Sequence, residues 1–277
     1  MWRSCEPYHG LVYFVPEARV AYAEVGLEGR SMGYMASRSA PMGAVGPGVV
    51  TAAFFNFHPD LVASALPEAW RLADPEHVIA ARFAAVDAAL RRMLGEELGS
   101  AEMAEAVVLA REAAEACPPA GRPVFAAHNS LAWPRAPHLA LWHALTLLRE
   151  FRGDGHVAAL VTEGLTGCEA LVVHAVTGEV GPSVLRASRR WSEPEWAAAE
   201  ASLQERGHLD ADGVLTEAGR DSRRRVEDLT DAVAMAPWRQ LGPERSDRLR
   251  ELVRPWSRAV VQAGTFSPEN LFVDEGR

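Results

Sequence analysis

Proline and glycine punctuate this chain at short intervals, and between them Ala, Leu, Arg and Glu recur at helical spacing. The spacing predicts helices around 16–26, 31–45, 59–72, 76–94, 101–117, 137–151, 156–163, 167–176, 193–206, 216–236 and 244–263. Strand signals are few; the best is 208–215, where Asp212-Gly213 marks a tight hairpin. The expected fold class is therefore all-α with a short β-wing. Apolar side chains make up 48% of the 277 residues, enough for one large core or two ordinary ones. Uninterrupted apolar runs such as 106–110 fall far short of the roughly 18 to 20 residues a bilayer needs, so no membrane contact is expected. The first seven residues lack the long apolar stretch of a secretory signal. Cys5, Cys117 and Cys168 have neither paired nor metal-type spacing, which points to a reducing, cytoplasmic setting.

All 28 basic residues are Arg, and 37 acidic residues leave a net charge of −9. Such a chain is repelled by a phosphate backbone unless its cations gather on one face. The stretch to inspect is one where an acid-rich helix ends in Leu203-Gln204-Glu205-Arg206-Gly207, the hairpin follows, and Leu215-Thr216-Glu217-Ala218-Gly219-Arg220 opens another helix. Thr216 suits a helix N-cap, with Glu217 at the positive end of the macrodipole. Over roughly 180–235 this order resembles the winged helix-turn-helix of MarR-type bacterial regulators, which implies a DNA-reading helix. Yet 191–213 carries Glu193, Glu195, Glu200, Glu205, Asp210 and Asp212 against one cation, Arg206. Arg186, Arg189 and Arg190 before it, and Arg220, Arg223, Arg224 and Arg225 after it, leave room for backbone contacts. The balance argues against nucleic acid as a partner and for a winged helix reused in packing.

An internal echo sets Ala23-Glu24-Val25-Gly26-Leu27-Glu28-Gly29 against Val161-Thr162-Glu163-Gly164-Leu165-Thr166-Gly167, and His58-Pro59-Asp60 against Glu193-Pro194-Glu195. It suggests two related winged-helix-like halves, 1–118 and 150–277, joined by a connecting segment and central helix over 119–149. Over its full length the chain resembles an uncharacterised actinobacterial helix-turn-helix family. The likeness rests on Tyr13-Phe14-Val15-Pro16-Glu17-Ala18, Arg38-Ser39-Ala40-Pro41-Met42-Gly43, Phe54-Phe55-Asn56-Phe57-His58-Pro59, Leu141-Trp142-His143-Ala144-Leu145-Thr146 and Leu147-Leu148-Arg149-Glu150-Phe151-Arg152-Gly153-Asp154-Gly155-His156. That resemblance implies a fold more than an activity.

Unusual side chains concentrate over 128–156. On a helix over 137–151, about 100° per residue puts His143, Thr146, Leu147 and Glu150 on one stripe and His138, Trp142, Leu145 and Arg149 on its neighbour. His143 and Glu150 then face a common cavity as a general base with its orienter, as two metal ligands, or as a satisfied buried pair. Beyond them, Gly153 and Gly155 end the helix amid Arg149, Glu150, Arg152, Asp154 and His156. Either Asp154 caps the next helix and the Arg and Glu residues join the halves by ion pairs, or Arg149 or Arg152 grips a carboxylate or phosphate beside His143 or His156. Arg38, set among Met, Tyr, Ala and Ser, is an anion anchor or an ion-pair partner. Asn56 and His58 add polar tips to Phe54, Phe55 and Phe57, suiting an apolar pocket or an ordinary core with His58 near a helix N-cap. His128 falls in a small-residue loop over 126–129 that lets a ligand approach the backbone.

No phosphate loop, dinucleotide fingerprint, His-Glu-x-x-His helix, Cys-x-x-Cys or Gly-x-Ser-x-Gly elbow occurs. No metal ligand set is assigned and the cofactor is left unknown, the nine His residues keeping metal or haem open. The expected function is binding of a small organic molecule between the halves, in the form of an acid–base enzyme of specialised metabolism. Its catalytic residues would be His143, Glu150, Asp154 and His156, with Arg38, Asn56, His58, His128, Trp142, Arg149 and Arg152 holding the ligand. The alternatives are a non-catalytic ligand-binding or self-resistance protein and a MarR-like transcription regulator, with homodimerisation open.

Overall fold

A computed structural model describes residues 2–178 and 180–266; residues 1, 179 and 267–277 of the expected halves lie outside that description. The chain forms α1 (Trp2–Gly10), α2 (Pro16–Glu24), α3 (Arg30–Ser39), α4 (Pro47–Phe54), α5 (Pro59–Leu72), α6 (Pro75–Leu94), α7 (Ala101–Glu115) and α8 (Pro123–Asn129). It continues through α9 (Pro137–Thr162), α10 (Gly167–Ala175), α11 (Pro182–Arg189), α12 (Glu193–Glu205), α13 (Glu217–Val233), α14 (Ala236–Leu241) and α15 (Pro243–Gln262). Most helices open with proline in the first turn, where its missing N–H costs nothing. Thr166 and Ser192 close reciprocal capping boxes with Glu169 and Glu195.

The fold is all-α. The expected wing is reduced, among the described residues, to one antiparallel bridge between Leu209 and Leu215. Asp210 shortens it by spending its Oδ1 on the N–H groups of Asp212 and Val214, which holds a turn where a ladder would begin. The expected loop over 126–129 is instead helical, as part of α8.

Helix α9 departs most from expectation, running unbroken through Gly153-Asp154-Gly155 for 26 residues, roughly 39 Å. Both glycines serve close packing rather than termination. A Cβ on Gly155 would collide with the Arg122 guanidinium, which donates to the carbonyls of Phe151 and Val233. Asp154 does not cap a following helix; it accepts the N–H of Phe125 at 2.9 Å, satisfying a free donor in the first turn of α8.

Two apolar cores share α9. The first gathers side chains from α1 to α8, the stretch Leu141–Phe151 of α9, and Leu241 to Val260 of α14 and α15. The second joins Ala159 and Leu160 of α9 to α10, α11, α12, the bridge and α13. The division at 118 and 150 is therefore not the one the apolar side chains follow, because α14 and α15 return to pack on α7 and α1. Within 16–94, α3 packs on α5 and α2 on α6; within 137–233, α10 packs on α12 and α9 on α13. Among the described residues two that are not glycine take positive φ, Phe55 (60°) after α4 and Arg190 (62°) after α11.

The seam between the cores is tight at Gly167, where a Cβ would collide with the Phe55 carbonyl oxygen. Gly167→Ala is expected to cost about 1–3 kcal/mol by overpacking, read by urea unfolding. Gly48→Ala, in open space on α4, should instead gain up to about 1 kcal/mol.

Candidate functional site

The mid-chain cluster is organised around Glu150, which is fully buried. Arg38 of α3 donates to it through Nε (2.9 Å to Oε1) and Nη2 (2.8 Å to Oε2), and Arg149 donates to Oε2 at 2.9 Å. Arg38 also donates to the Tyr34 hydroxyl and stacks over Phe54. Burial alone would raise the Glu150 carboxyl, but Arg38 and Arg149 outweigh it and hold the group well below the ordinary carboxylate range. Glu150 is thus a committed counter-ion.

His143 does not join it. The ring is fully buried against Trp133 (centroids 4.9 Å apart, edge-on) and Phe83 (6.0 Å), and neither nitrogen has a hydrogen-bond partner among the described residues. Burial, with Arg82 adding to it, lowers this imidazole to about 4. The expected base-and-orienter pair of His143 and Glu150 is not formed, because the shared stripe of α9 is filled by aromatic packing at one end and by arginines at the other.

The other candidates scatter. Trp142 donates its indole N–H to the His9 carbonyl at 3.0 Å, and His128 donates Nε2–H to the Arg38 carbonyl at 3.2 Å, so both brace the core. Burial lowers His128 to about 3. Asp154 is raised to about 6 by burial, against the pull of the Phe125 N–H. Arg152 reaches Glu227 and Asp231 on α13, and His156 faces Thr230 of the same helix. His58 caps α5 by accepting the Asp60 N–H on Nδ1, which leaves Nε2–H to donate to Glu195 of α12 at 2.8 Å.

Arg82, which the sequence reading passed over, is 2% exposed. It donates to the Tyr13 and Ser37 hydroxyls and lies over the rings of Tyr13 and Trp142. Its signal was present: Val78, Arg82 and Val86 fall at spacing four on the buried stripe of α6. No group of three or more His, Cys, Asp or Glu among the described residues is placed to hold a metal ion. No single described helix is long and apolar enough to cross a membrane.

A second candidate surface lies on α11 and α12, joined by the turn Arg190-Trp191-Ser192. Trp191 donates its indole N–H to the Asn56 carbonyl and His58 its backbone N–H to the Arg189 carbonyl, anchoring the pair on the α4–α5 bend. The acids of α12 are largely engaged within the protein. Glu193 pairs with Arg186 (2.8 Å), Glu195 holds Ser192 and His58, and Glu200 accepts the Trp196 indole N–H (2.9 Å). Ala197, Ala198 and Ala201 face outward.

Comparison with known families matches residues 1–267 to a family described as a helix-turn-helix family, and the chain belongs to it. No curated protein and no solved structure matches. Family membership overturns the expectation that nucleic acid is not a partner. That expectation counted the carboxylates of α12 as free, whereas three of them are bound by side chains of this chain.

Glu150→Gln leaves Arg38 buried, and Arg149 partly buried, without the carboxylate they share and should cost about 3–5 kcal/mol in urea unfolding. Asp154 has a folded-state pKa above its unfolded value, so the folded state binds the extra proton and stability falls as pH rises from about 4 to about 6. The stability difference between Asp154→Asn and the parent should accordingly move in favour of Asn across that window and level off above it.

Proposed function

We propose that the chain is a DNA-binding transcription regulator of the MarR-like kind, with α11 and α12 as its helix-turn-helix and α12 as the helix that meets the duplex. The observation that carries this reading is the outer face of α12, where Ala197, Ala198 and Ala201 are exposed while Glu193, Glu195 and Glu200 have partners within the chain. Small side chains let a helix approach base edges closely in a major groove. Membership of a helix-turn-helix family supports the presence of a DNA-reading helix pair in the chain.

Phosphate contacts would come from the exposed or half-exposed arginines that flank the helix, Arg186 and Arg190 on one side and Arg220 and Arg224 on the other; each has a partner within the chain (Glu193, the Ser64 hydroxyl, the Leu215 carbonyl and Asp221), which a phosphate would share or replace. With a net charge of −9 the rest of the surface opposes association, so binding must rest on these few contacts and weaken steeply with salt. No acid–base step is assigned, since the carboxylate that would orient His143 is held by two arginines.

The test is a gel shift at low ionic strength with random duplex, followed by selection from the same pool. The full chain should retain DNA, lose it as salt rises and enrich a preferred sequence. Ala198→Glu, on the exposed face, should abolish retention while leaving the unfolding midpoint unchanged. Arg186→Ala should weaken binding to all sequences alike and flatten the salt dependence. Failure of the parent chain to retain duplex at low salt, or retention by Ala198→Glu equal to the parent's, would overturn the reading.

A further inference from the structure

Between the α4–α5 bend and helices α9, α10 and α13 lies a cavity of about 260 Å³. Phe54 of the first core and Leu160, Leu165, Leu171 and Val226 of the second form its apolar walls. His156, Arg223, Glu227 and His174 line the same space.

The hydrogen bonds fix what His156 offers. The Thr230 hydroxyl donates to the Val226 carbonyl at 2.6 Å, so toward His156 Nδ1, 3.0 Å away, it acts as the acceptor. The proton therefore sits on Nδ1, and Nε2 carries a lone pair. Burial lowers the pKa of this ring, so the lone pair persists at neutral pH.

Arg223 differs from its neighbours on α13. Arg220 donates to the Leu215 carbonyl, Arg224 pairs with Asp221 and Arg225 with Glu163. Arg223 is half-buried and makes no hydrogen bond or ion pair with the described residues. Glu227 pairs with Arg152 at 3.3 Å, a cation it shares with Asp231. The cavity thus presents one uncommitted cation, one bare acceptor and apolar walls. Its volume falls just below the usual range of drug-sized sites, which suits a smaller ligand.

We propose that this cavity binds a small organic acid bearing a hydroxyl group and an apolar body. The carboxylate meets the planar fork of Arg223, the hydroxyl donates to His156 Nε2, and the apolar part lies against Phe54, Leu160, Leu165 and Leu171. Such a ligand touches both cores and so ties the α4–α5 bend to the helices that carry α11 and α12. The site stands independently of the DNA reading.

The experiment is isothermal titration calorimetry of the full chain with 3-phenyllactate, its methyl ester and 3-phenylpropanoate. The parent should bind phenyllactate saturably and prefer it to both analogues. Arg223→Gln should weaken phenyllactate binding about tenfold or more while the ester is unaffected. His156→Phe should remove the preference for phenyllactate over phenylpropanoate. Because Arg223 pairs with none of the described residues, Arg223→Gln should unfold at the parent's urea midpoint, separating loss of binding from loss of fold. Absence of saturable binding of phenyllactate to the parent, or equal affinity of the parent and Arg223→Gln, would overturn the proposal. No duplex is present, so either failure leaves the DNA-binding reading untouched.

Discussion

A carboxylate with no access to water, gripped by two guanidinium groups, sets the geometry of this protein. Glu150 lies near the middle of α9, and Arg38 reaches it from α3 with both arms of its fork. Burying such charges is costly, and the cost is offset only while all partners hold their positions. The carbonyl of Arg38 in turn receives a hydrogen bond from His128 of α8, so three helices are indexed to one another by a single polar centre. Helix α9 is thereby fixed at its middle. Its first half supplies the main core, and its last turns carry the second core with α11 and α12.

This placement moves the functional question away from mid-chain. The polar residues that cluster between positions 128 and 156 mostly hold helices together: Asp154 caps α8, Arg152 ties α9 to α13, and Trp142 and His128 bind backbone carbonyls. What faces outward, or into space, lies nearer the second core. There α12 exposes Ala197, Ala198 and Ala201, and the cavity beside α13 is lined by Arg223 and His156, where neither the Arg223 guanidinium nor His156 Nε2 has a partner among the described residues. Both features adjoin the α4–α5 bend, where Asn56 and His58 lock onto Trp191 and Glu195.

The helices were legible because proline starts and glycine stops are local signals; 75–94 and 59–72 match the expected spans almost to the residue. What escaped was set at long range. Gly153 and Gly155 have the composition of a helix end, yet α9 passes through them, and at Gly155 the guanidinium of Arg122, far away in sequence, fills the space a Cβ would take. Arg38 and Glu150 were both singled out, but their pairing spans 112 positions and no spacing rule connects them. The acids of α12 show that counting charges differs from locating them: Glu195 closes a capping box and meets His58, a partner 137 positions away. Arg82 was missed for the opposite reason, since an arginine in an Arg-rich amphipathic helix reads as solvated unless its place on the apolar stripe is checked.

The claim on which the rest stands is that Glu150 is an ionised structural counter-ion rather than a proton carrier. Carboxyl-selective ¹³C NMR of the full chain, with the resonance assigned by its loss in Glu150→Gln, tests this directly. The Glu150 signal should keep its ionised chemical shift from neutral pH down to the onset of acid unfolding, because Arg38 and Arg149 hold the proton off. A reversible titration of that signal near neutral pH in the folded protein would contradict the account.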